Sequence, residues 1–182
     1  MRLAFVGHAA VGKDTLALYV SKRLSIPNVS SGDMIRKYVT DNNLGTLERE
    51  NLKKVGNSLR QEFGGDFLVR LAVELHDKGD IVLSGLRTID EVMTFKELGG
   101  IVISVTAPAE RRYDLAKMRN RIDDGVSFEE WKKNEEGEYT SDDSKKQNIN
   151  GVIALADYEI QNLGTLDDLY KECDELLKSL LF

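Results

Sequence analysis

The first 24 residues constrain the fold of this 182-residue chain more than any other part of it. Residues 3–6 form an apolar run typical of a buried strand, and a loop with two glycines, residues 7–15, follows directly. Leu16, Val20 and Leu24 then recur at the spacing of one helix face. Strand, loop and helix in this order open an α/β unit, so we expect a parallel sheet covered by helices on both faces.

The loop predicts a phosphate-binding site. Its sequence is Gly-His-Ala-Ala-Val-Gly-Lys-Asp-Thr, and its glycines let successive backbone N–H groups point at phosphate oxygens. The amino end of the following helix adds partial positive charge, and Lys13 should reach the β- and γ-phosphates of a nucleotide. The residues predicted to bind this nucleotide are Gly7, Ala9, Ala10, Val11, Gly12, Lys13, Asp14 and Thr15. The alternative is a glycine turn with an exposed lysine, which the flanking strand and helix disfavour.

Asp14 departs from the usual form of this motif, in which serine or threonine follows the lysine directly. Here Asp14 intervenes and Thr15 follows. A carboxylate beside phosphates is repelled unless it is turned toward a metal or solvent. Asp14 is therefore either a helix amino-terminal residue or an outer partner of magnesium.

The rest of the chain continues the alternation of strands and helices. Further strands are predicted at residues 27–29, 81–83, 101–105 and 158–161. Residues 30–76 read as a helical region divided near Gly64, and residues from about 119 to 151, rich in charged and polar side chains, read as a lid. We expect one domain over residues 1–182, with about five parallel strands flanked by helices.

Charge and composition limit the kinds of partner that the protein can bind. The net charge of −6 argues against a broad basic surface for nucleic acid. Any anion that the protein binds must therefore be bound by a small local group of donors. Apolar runs such as residues 101–105 are too short to cross a bilayer, and the amino terminus lacks a signal-peptide pattern. The single cysteine, Cys173, is expected to pack in the protein interior. We expect a cytoplasmic monomer or small homo-oligomer that binds a small molecule.

Three further segments resemble the nucleoside monophosphate kinase family, adenylate kinase above all. Residues 31–36, Ser-Gly-Asp-Met-Ile-Arg, resemble that family's Thr-Gly-Asp-Met-Leu-Arg segment, where the arginine holds the acceptor phosphate. Residues 81–89 resemble its strand that ends in Asp-Gly-Phe-Pro-Arg-Thr, and Arg119 and Arg121 resemble the arginines that lead into its lid. Residues 162–165, Asn-Leu-Gly-Thr, are similar to its adenine-contacting loop and also to a loop of dephospho-coenzyme A kinase.

The resemblance implies a kinase that uses ATP and Mg²⁺ to phosphorylate a nucleoside monophosphate. It assigns the acceptor to Ser31, Asp33, Arg36, Gly85 and Arg87. It assigns catalysis to Lys13, Arg36, Arg87, Arg119 and Arg121, and further ATP contacts to Arg119, Asn162 and Gly164. The chemistry agrees, because planar arginines bind phosphates bidentately and two of these arginines follow predicted strand ends, where α/β sheets bind ligands.

The predicted metal site departs from the family. Ser84 stands where the family has the aspartate that helps organise magnesium, so we predict that Thr15 and Asp33 hold Mg²⁺ instead. Asp33 could also be a simple helix cap. The lid lacks a Cys or His cluster, which argues against structural zinc, and its acidic residues 135–138 are expected to form a solvated face.

Two other functions stay open from the sequence. The acceptor could be another phosphorylated small molecule, such as dephospho-coenzyme A or a sugar phosphate. The chain could instead be a nucleotide-dependent regulator whose helical region, residues 46–76, binds a partner protein; Arg36 and Arg87 argue against this. A GTPase is disfavoured, because neither an Asn-Lys-x-Asp segment nor an Asp-x-x-Gly switch after a strand is found.

Overall fold

The structure, a computed structural model, describes residues 1–77, 79–119, 125–136, 139–143 and 145–181. Its described residues form one parallel sheet of five strands in the order β2-β3-β1-β4-β5. The strands are β1 Arg2–Val6, β2 Asn28–Ser30, β3 Ile81–Ser84, β4 Ile101–Thr106 and β5 Tyr158–Gln161. The α/β sheet expected from the sequence is confirmed. β2 begins one residue later than predicted, because Pro27 has no N–H to donate and contributes only its carbonyl oxygen, 2.8 Å from Val82 N.

Helices connect the strands and cover the sheet. They are α1 Lys13–Leu24, α2 Ser31–Asp41, α3 Arg49–Phe63, α4 Phe67–Glu74, α5 Ile89–Glu97, α6 Ala109–Arg119, α7 Phe128–Glu136, α8 Ile149–Ala154 and α9 Leu166–Leu181. The division predicted near Gly64 is confirmed, since α3 ends and α4 begins on either side of it. None of the helices in the described residues is long and apolar enough to span a bilayer.

Local sequence signals start several of these helices. Ser30 caps α2, because its Oγ accepts a hydrogen bond from Asp33 N. Thr88 and Glu91 form a reciprocal capping box at the start of α5. Asn148 caps α8 through a 2.9 Å bond from Gly151 N to its Oδ1. The starts of these three helices border the candidate site described below.

The three central strands of the sheet, β1, β3 and β4, are buried on both faces. Successive residues of a strand point to opposite faces, so Leu3 and Phe5 pack under α1 and α9, with Cys173 in the same cluster. Ala4 and Val6 pack on the other face, under α4 and α5. Because β1, β3 and β4 are parallel and covered on both faces, their sequences are largely continuous apolar runs, whereas the edge strands β2 and β5 carry polar, partly exposed residues.

The strand register brings three strand ends to one edge of the sheet. Phe5 of β1 pairs with Ser84 of β3, and Ser84 also pairs with Ser30 of β2. The chain therefore leaves β1, β2 and β3 at the same level, into residues 7–12, 31–36 and 85–88. Ligands of open parallel sheets bind at this carboxyl edge.

The region predicted as a lid contains α7 and α8, and α7 packs closely on α6. Trp131 is buried, its ring centroid lies 5.8 Å from that of Tyr113, and the Arg112 guanidinium carbon stands 5.1 Å from the Trp131 centroid. The prediction that residues 135–138 form a solvated face is wrong at Glu135, which is 1% exposed and ion-paired with Arg112. The reason is helical spacing: Glu135 lies one turn after Trp131, on the same inward face. Residues 137 and 138 lie outside the described residues.

Candidate active site

The loop after β1 has the backbone shape of a phosphate cradle. Gly7 has φ of 141° and Gly12 has φ of 101°, both in a region that favours glycine. A β-carbon at position 7 would lie 2.3 Å from the Val105 carbonyl oxygen, so only glycine fits there. Ala10 also has a positive φ, 57°, although it is not a glycine. The loop thus turns sharply between β1 and the amino end of α1.

Lys13 is the first residue of α1 and lies back over this loop. Its side chain is largely buried, and its Nζ donates a 3.3 Å hydrogen bond to the His8 carbonyl oxygen. Nζ also lies 3.8 Å from Asp14 Oδ2, in a carboxylate that is half-exposed. Thr15 is exposed in the same helical turn. The charged end of Lys13 therefore stays at the loop, where a bound phosphate would meet it.

The start of α2 lies beside the loop that follows β3. Ser31 is buried, and its hydroxyl donates to the carbonyl oxygen of Gly85. A β-carbon on Gly85, where φ is 81°, would lie 3.0 Å from that hydroxyl oxygen. Further along α2, Arg36 Nη1 lies 2.6 Å from Asp33 Oδ1, in an ion pair whose carboxylate side is 72% exposed. The predicted acceptor residues thus come from two adjacent strand ends.

Other protein groups hold both the backbone and the side chain of Arg87. Its backbone N–H donates to Glu91 Oε2 at 2.6 Å, and its carbonyl oxygen accepts from Asn148 N at 2.8 Å. Its guanidinium Nη1 donates to Gln147 Oε1 at 3.3 Å. Both the backbone and the side chain of this predicted acceptor residue are therefore restrained.

A buried ion pair under this loop was missed by the sequence analysis. Arg60 of α3 and Glu91 of α5 are both 0% exposed, and Arg60 Nε donates to Glu91 Oε1 at 2.9 Å. Glu91 thereby joins α3 to the turn that carries Arg87. The Thr-x-x-Glu pattern at 88–91 could have identified Glu91 as a cap, but no local signal identifies Arg60 as its partner.

Asn162 connects the loop after β5 to the phosphate cradle. Its Nδ2 donates to the Val11 carbonyl oxygen at 2.9 Å, and its Oδ1 accepts from Arg111 Nη2 at 3.0 Å. Arg111 also donates to the carbonyl oxygens of Asn162 and Gly164. The side chain of Asn162 is thus bonded to protein groups, and Arg111, absent from the sequence-based set, holds the predicted adenine loop in place.

The remaining predicted arginines are Arg119 and Arg121. Arg119 is exposed at the carboxyl end of α6, whereas Arg121 lies outside the described residues. Nearby, Glu135 accepts from Arg112, lies 3.7 Å from Arg49 of α3, and accepts a 3.1 Å bond from the Tyr139 hydroxyl.

Tyr139 reaches the phosphate cradle. Burial raises the pKa of its phenol above the ordinary value, so the hydroxyl stays protonated and donates to Glu135. Its ring meets that of His8 edge-on, with centroids 4.8 Å apart. The region after α7 therefore contacts the loop that carries Lys13.

The described residues contain no cluster of three or more His, Cys, Asp or Glu side chains able to hold a metal. Thr15 and Asp33, the predicted magnesium residues, stay a prediction. Ser84 is buried at the end of β3, and its Oγ has no hydrogen-bond partner among the residues that the structure describes. That hydroxyl is an additional polar group at the edge where these three strands end.

A parallel sheet in the order 2-3-1-4-5, with a lysine-bearing glycine loop after its first strand, is the P-loop kinase fold. Shikimate kinase from Bacteroides thetaiotaomicron superposes with a TM-score of 0.67 at 13% identity, covering 100% of this chain and 99% of that one. Shikimate kinase from Acinetobacter baumannii in complex with shikimate gives 0.61 at 14% identity, covering 99% of this chain and 92% of that one.

The chain belongs to the family described as AAA domain, which matches residues 4–141, and to the UPF0200 proteins. The UPF0200 protein of Thermococcus kodakarensis is 32% identical over 100% of this chain and 98% of its own length. That of Methanosarcina barkeri is 34% identical over 98% and 95%. A UPF0200/UPF0201 protein of Archaeoglobus fulgidus is 31% identical over 98% of this chain, which spans 55% of that longer relative.

Proposed function

We propose that this protein transfers the γ-phosphoryl group of ATP to a small phosphorylated acceptor, a nucleoside monophosphate, giving ADP and the diphosphate. One observation carries the proposal: the Lys13 loop follows β1, the Arg87 turn follows β3, and these two strands pair directly. Paired strands lie ~4.8 Å apart, so two cationic groups suited to phosphates stand at one sheet edge. This arrangement supports a donor and an acceptor phosphate side by side.

The residues have distinct tasks in this proposal. Magnesium-bound ATP supplies the phosphoryl group when it is present. Lys13 and the cradle N–H groups bind the donor phosphates, while Arg36 and Arg87 orient the acceptor phosphate and offset its charge. Arg119 and Arg121 would complete the site from the lid, and Asn162 and Gly164 would border the adenine. No side-chain base is required, because a phosphate acceptor is already anionic.

Magnesium would be held by oxygen ligands from two elements. The Thr15 hydroxyl and the Asp33 carboxylate are both exposed, and hydroxyl and carboxylate oxygens suit this cation. The buried Ser84 hydroxyl offers a further hydrogen-bonding group at the same edge. The donor set is thus compatible with Mg²⁺ although no acidic residue ends β3.

The test is ADP formation from Mg-ATP with one acceptor at a time. The panel contains ribonucleoside and deoxyribonucleoside monophosphates, dephospho-coenzyme A, and shikimate as an alcohol acceptor. Strong stimulation by a monophosphate supports the proposal and names the substrate. Stimulation by dephospho-coenzyme A alone supports the alternative phosphorylated acceptor. Stimulation by shikimate alone would mean that the acceptor group is an alcohol and not a phosphate. No stimulation by any acceptor would favour an ATP-binding regulator.

Variants separate the two halves of the site. Lys13→Ala should lower kcat by on the order of a hundredfold, whereas Lys22→Ala, on the exposed last turn of α1, should change it less than twofold. Arg36→Ala and Arg87→Ala should raise the acceptor KM, or lower kcat, by on the order of a hundredfold with little effect on ATP binding. Normal turnover by a folded Lys13→Ala variant, or equal losses for both ligands in the arginine variants, would contradict these assignments.

A further inference from the structure

One segment touches both halves of the site. We call residues 139–143 and 145–148 the bridging segment. At its start, Tyr139 contacts His8 of the phosphate cradle through the ring pair described above. At its end, Gln147 and Asn148 bond to the side chain and the backbone of Arg87. The same short stretch of chain therefore joins the donor loop to the acceptor loop.

Gln147 is placed by its bond to Arg87. The residue is only 7% exposed, and burial of an amide is unfavourable unless it finds a hydrogen-bond partner. Its Oε1 accepts from Arg87 Nη1 at 3.3 Å, and the adjacent Asn148 N–H fixes the Arg87 carbonyl oxygen. The guanidinium of Arg87 is thus oriented from the side of the bridging segment.

The chemistry of this contact differs from that of the other acceptor arginine. Arg36 is paired with a carboxylate, Asp33, which offsets its charge. The Gln147 amide is neutral, so it orients the Arg87 guanidinium without neutralising it. The amide oxygen thus fixes the direction of Arg87 Nη1 without contributing a charge of its own.

We propose that Gln147 is a positioning residue for the acceptor: it holds the Arg87 guanidinium in the orientation that binds the acceptor phosphate, as part of a segment that also contacts the phosphate cradle. The proposal rests on the proposed function, which assigns the acceptor phosphate to Arg87. It identifies a neutral hydrogen-bond acceptor, supplied from within the region predicted as a lid, as a requirement for tight acceptor binding.

The test uses the full chain and the acceptor that stimulates the wild type most. Gln147→Met removes the amide at similar length and should raise the acceptor KM about 5–10-fold, with the ATP KM within twofold of wild type. Gln147→Glu places a carboxylate on Arg87, which neutralises the guanidinium and repels phosphate, so the acceptor KM should rise about 100-fold. Gln61→Met is the matched control, because Gln61 is exposed and contacts Asp143 of the same segment at 3.4 Å; it should leave both KM values within twofold.

A double-mutant cycle distinguishes positioning from general support of the fold. In an Arg87→Ala background, Gln147→Met should change the acceptor KM less than twofold, because the group that it positions is gone. Gln147→Glu should lose the part of its effect that comes from neutralising Arg87 and keep only the direct repulsion of phosphate. An unchanged KM in Gln147→Met, or an effect of that substitution that persists without Arg87, overturns the proposal. If Gln147→Met fails to fold, Gln147→Glu decides the question, and an equal fold-change in KM with and without Arg87 overturns the proposal. If no acceptor stimulates ADP formation by the wild type, the proposed function fails and this inference fails with it. If an acceptor stimulates the wild type but the Gln147 substitutions leave its KM unchanged, only this inference is refuted.

Discussion

Removing Arg60 alone should destabilise the protein strongly. Arg60 and Glu91 are both fully buried, and Arg60→Met leaves the Glu91 carboxylate inside the protein without its cation. Breaking a buried ion pair from one side costs about 3–5 kcal/mol. The carboxylate keeps two N–H donors, from Arg87 and Thr88, at 2.6 and 3.3 Å. We therefore expect the lower end, about 3 kcal/mol, and a melting temperature lower by about 6–12 °C.

The reciprocal substitution and the double variant test the cause of this loss. Glu91→Gln leaves a buried guanidinium whose Nη1 lacks a hydrogen-bond partner among the described residues, and it removes the charge from the group that Nη2 meets at 2.9 Å. It should cost at least as much as Arg60→Met. Arg60→Met combined with Glu91→Gln removes both charges while the glutamine still caps α5, so the double variant should be more stable than either single variant.

Equilibrium urea unfolding followed by circular dichroism measures these free energies. Arg70→Met is the matched control, because Arg70 forms an ion pair with Asp66 on α4 but its side chain is 48% exposed. Its loss should be below about 1 kcal/mol. If Arg60→Met is no more destabilising than Arg70→Met, or if the two single effects simply add in the double variant, the argument from buried charge is refuted.

Two further predictions concern the phosphate loop and the carboxyl-terminal helix. Ala10 has a φ of 57°, so Ala10→Gly should relieve about 1–2 kcal/mol of backbone strain at an entropic cost of about 0.5–1 kcal/mol. The free energy of unfolding should therefore rise by about 0.5 kcal/mol in the same urea assay. Ala9→Gly, at a negative φ, should instead lower the free energy of unfolding by about 0.5–1 kcal/mol. If both substitutions change the free energy of unfolding in the same direction, the argument from backbone strain at Ala10 is wrong. Burial raises the pKa of the Cys173 thiol to about 12, so at pH 8 the native protein should resist a thiol-specific reagent that labels the guanidinium-unfolded chain promptly. Labelling should increase only as the pH approaches that pKa or as the helix opens, and fast labelling of the native protein at pH 8 would refute the burial of this thiol.

Much of the fold could be predicted from local patterns. The apolar runs at β1, β3 and β4 predict buried strands, because a parallel sheet covered on both faces leaves no polar alternation. The glycines of the phosphate loop mark backbone angles that other residues rarely adopt, and Gly7 and Gly12 have such angles. Cys173 is buried as its helical spacing predicted. These features depend on neighbours in sequence, so the sequence alone determined them.

The candidate site depended on contacts between distant parts of the chain. Arg60 and Glu91 are 31 residues apart, and Arg87 and Gln147 are 60 apart, so no local period links them. The acidic pattern around Glu135 favoured a solvated face, yet packing of α7 on α6 buries that carboxylate against Arg112. A charged side chain can be buried only where another element supplies its partner, and that partner is fixed by packing rather than by spacing. The sequence by itself thus determined the strand, loop and helix of the phosphate cradle, whereas the tertiary structure alone decided which side chains restrain Arg87 and which charges are removed from water.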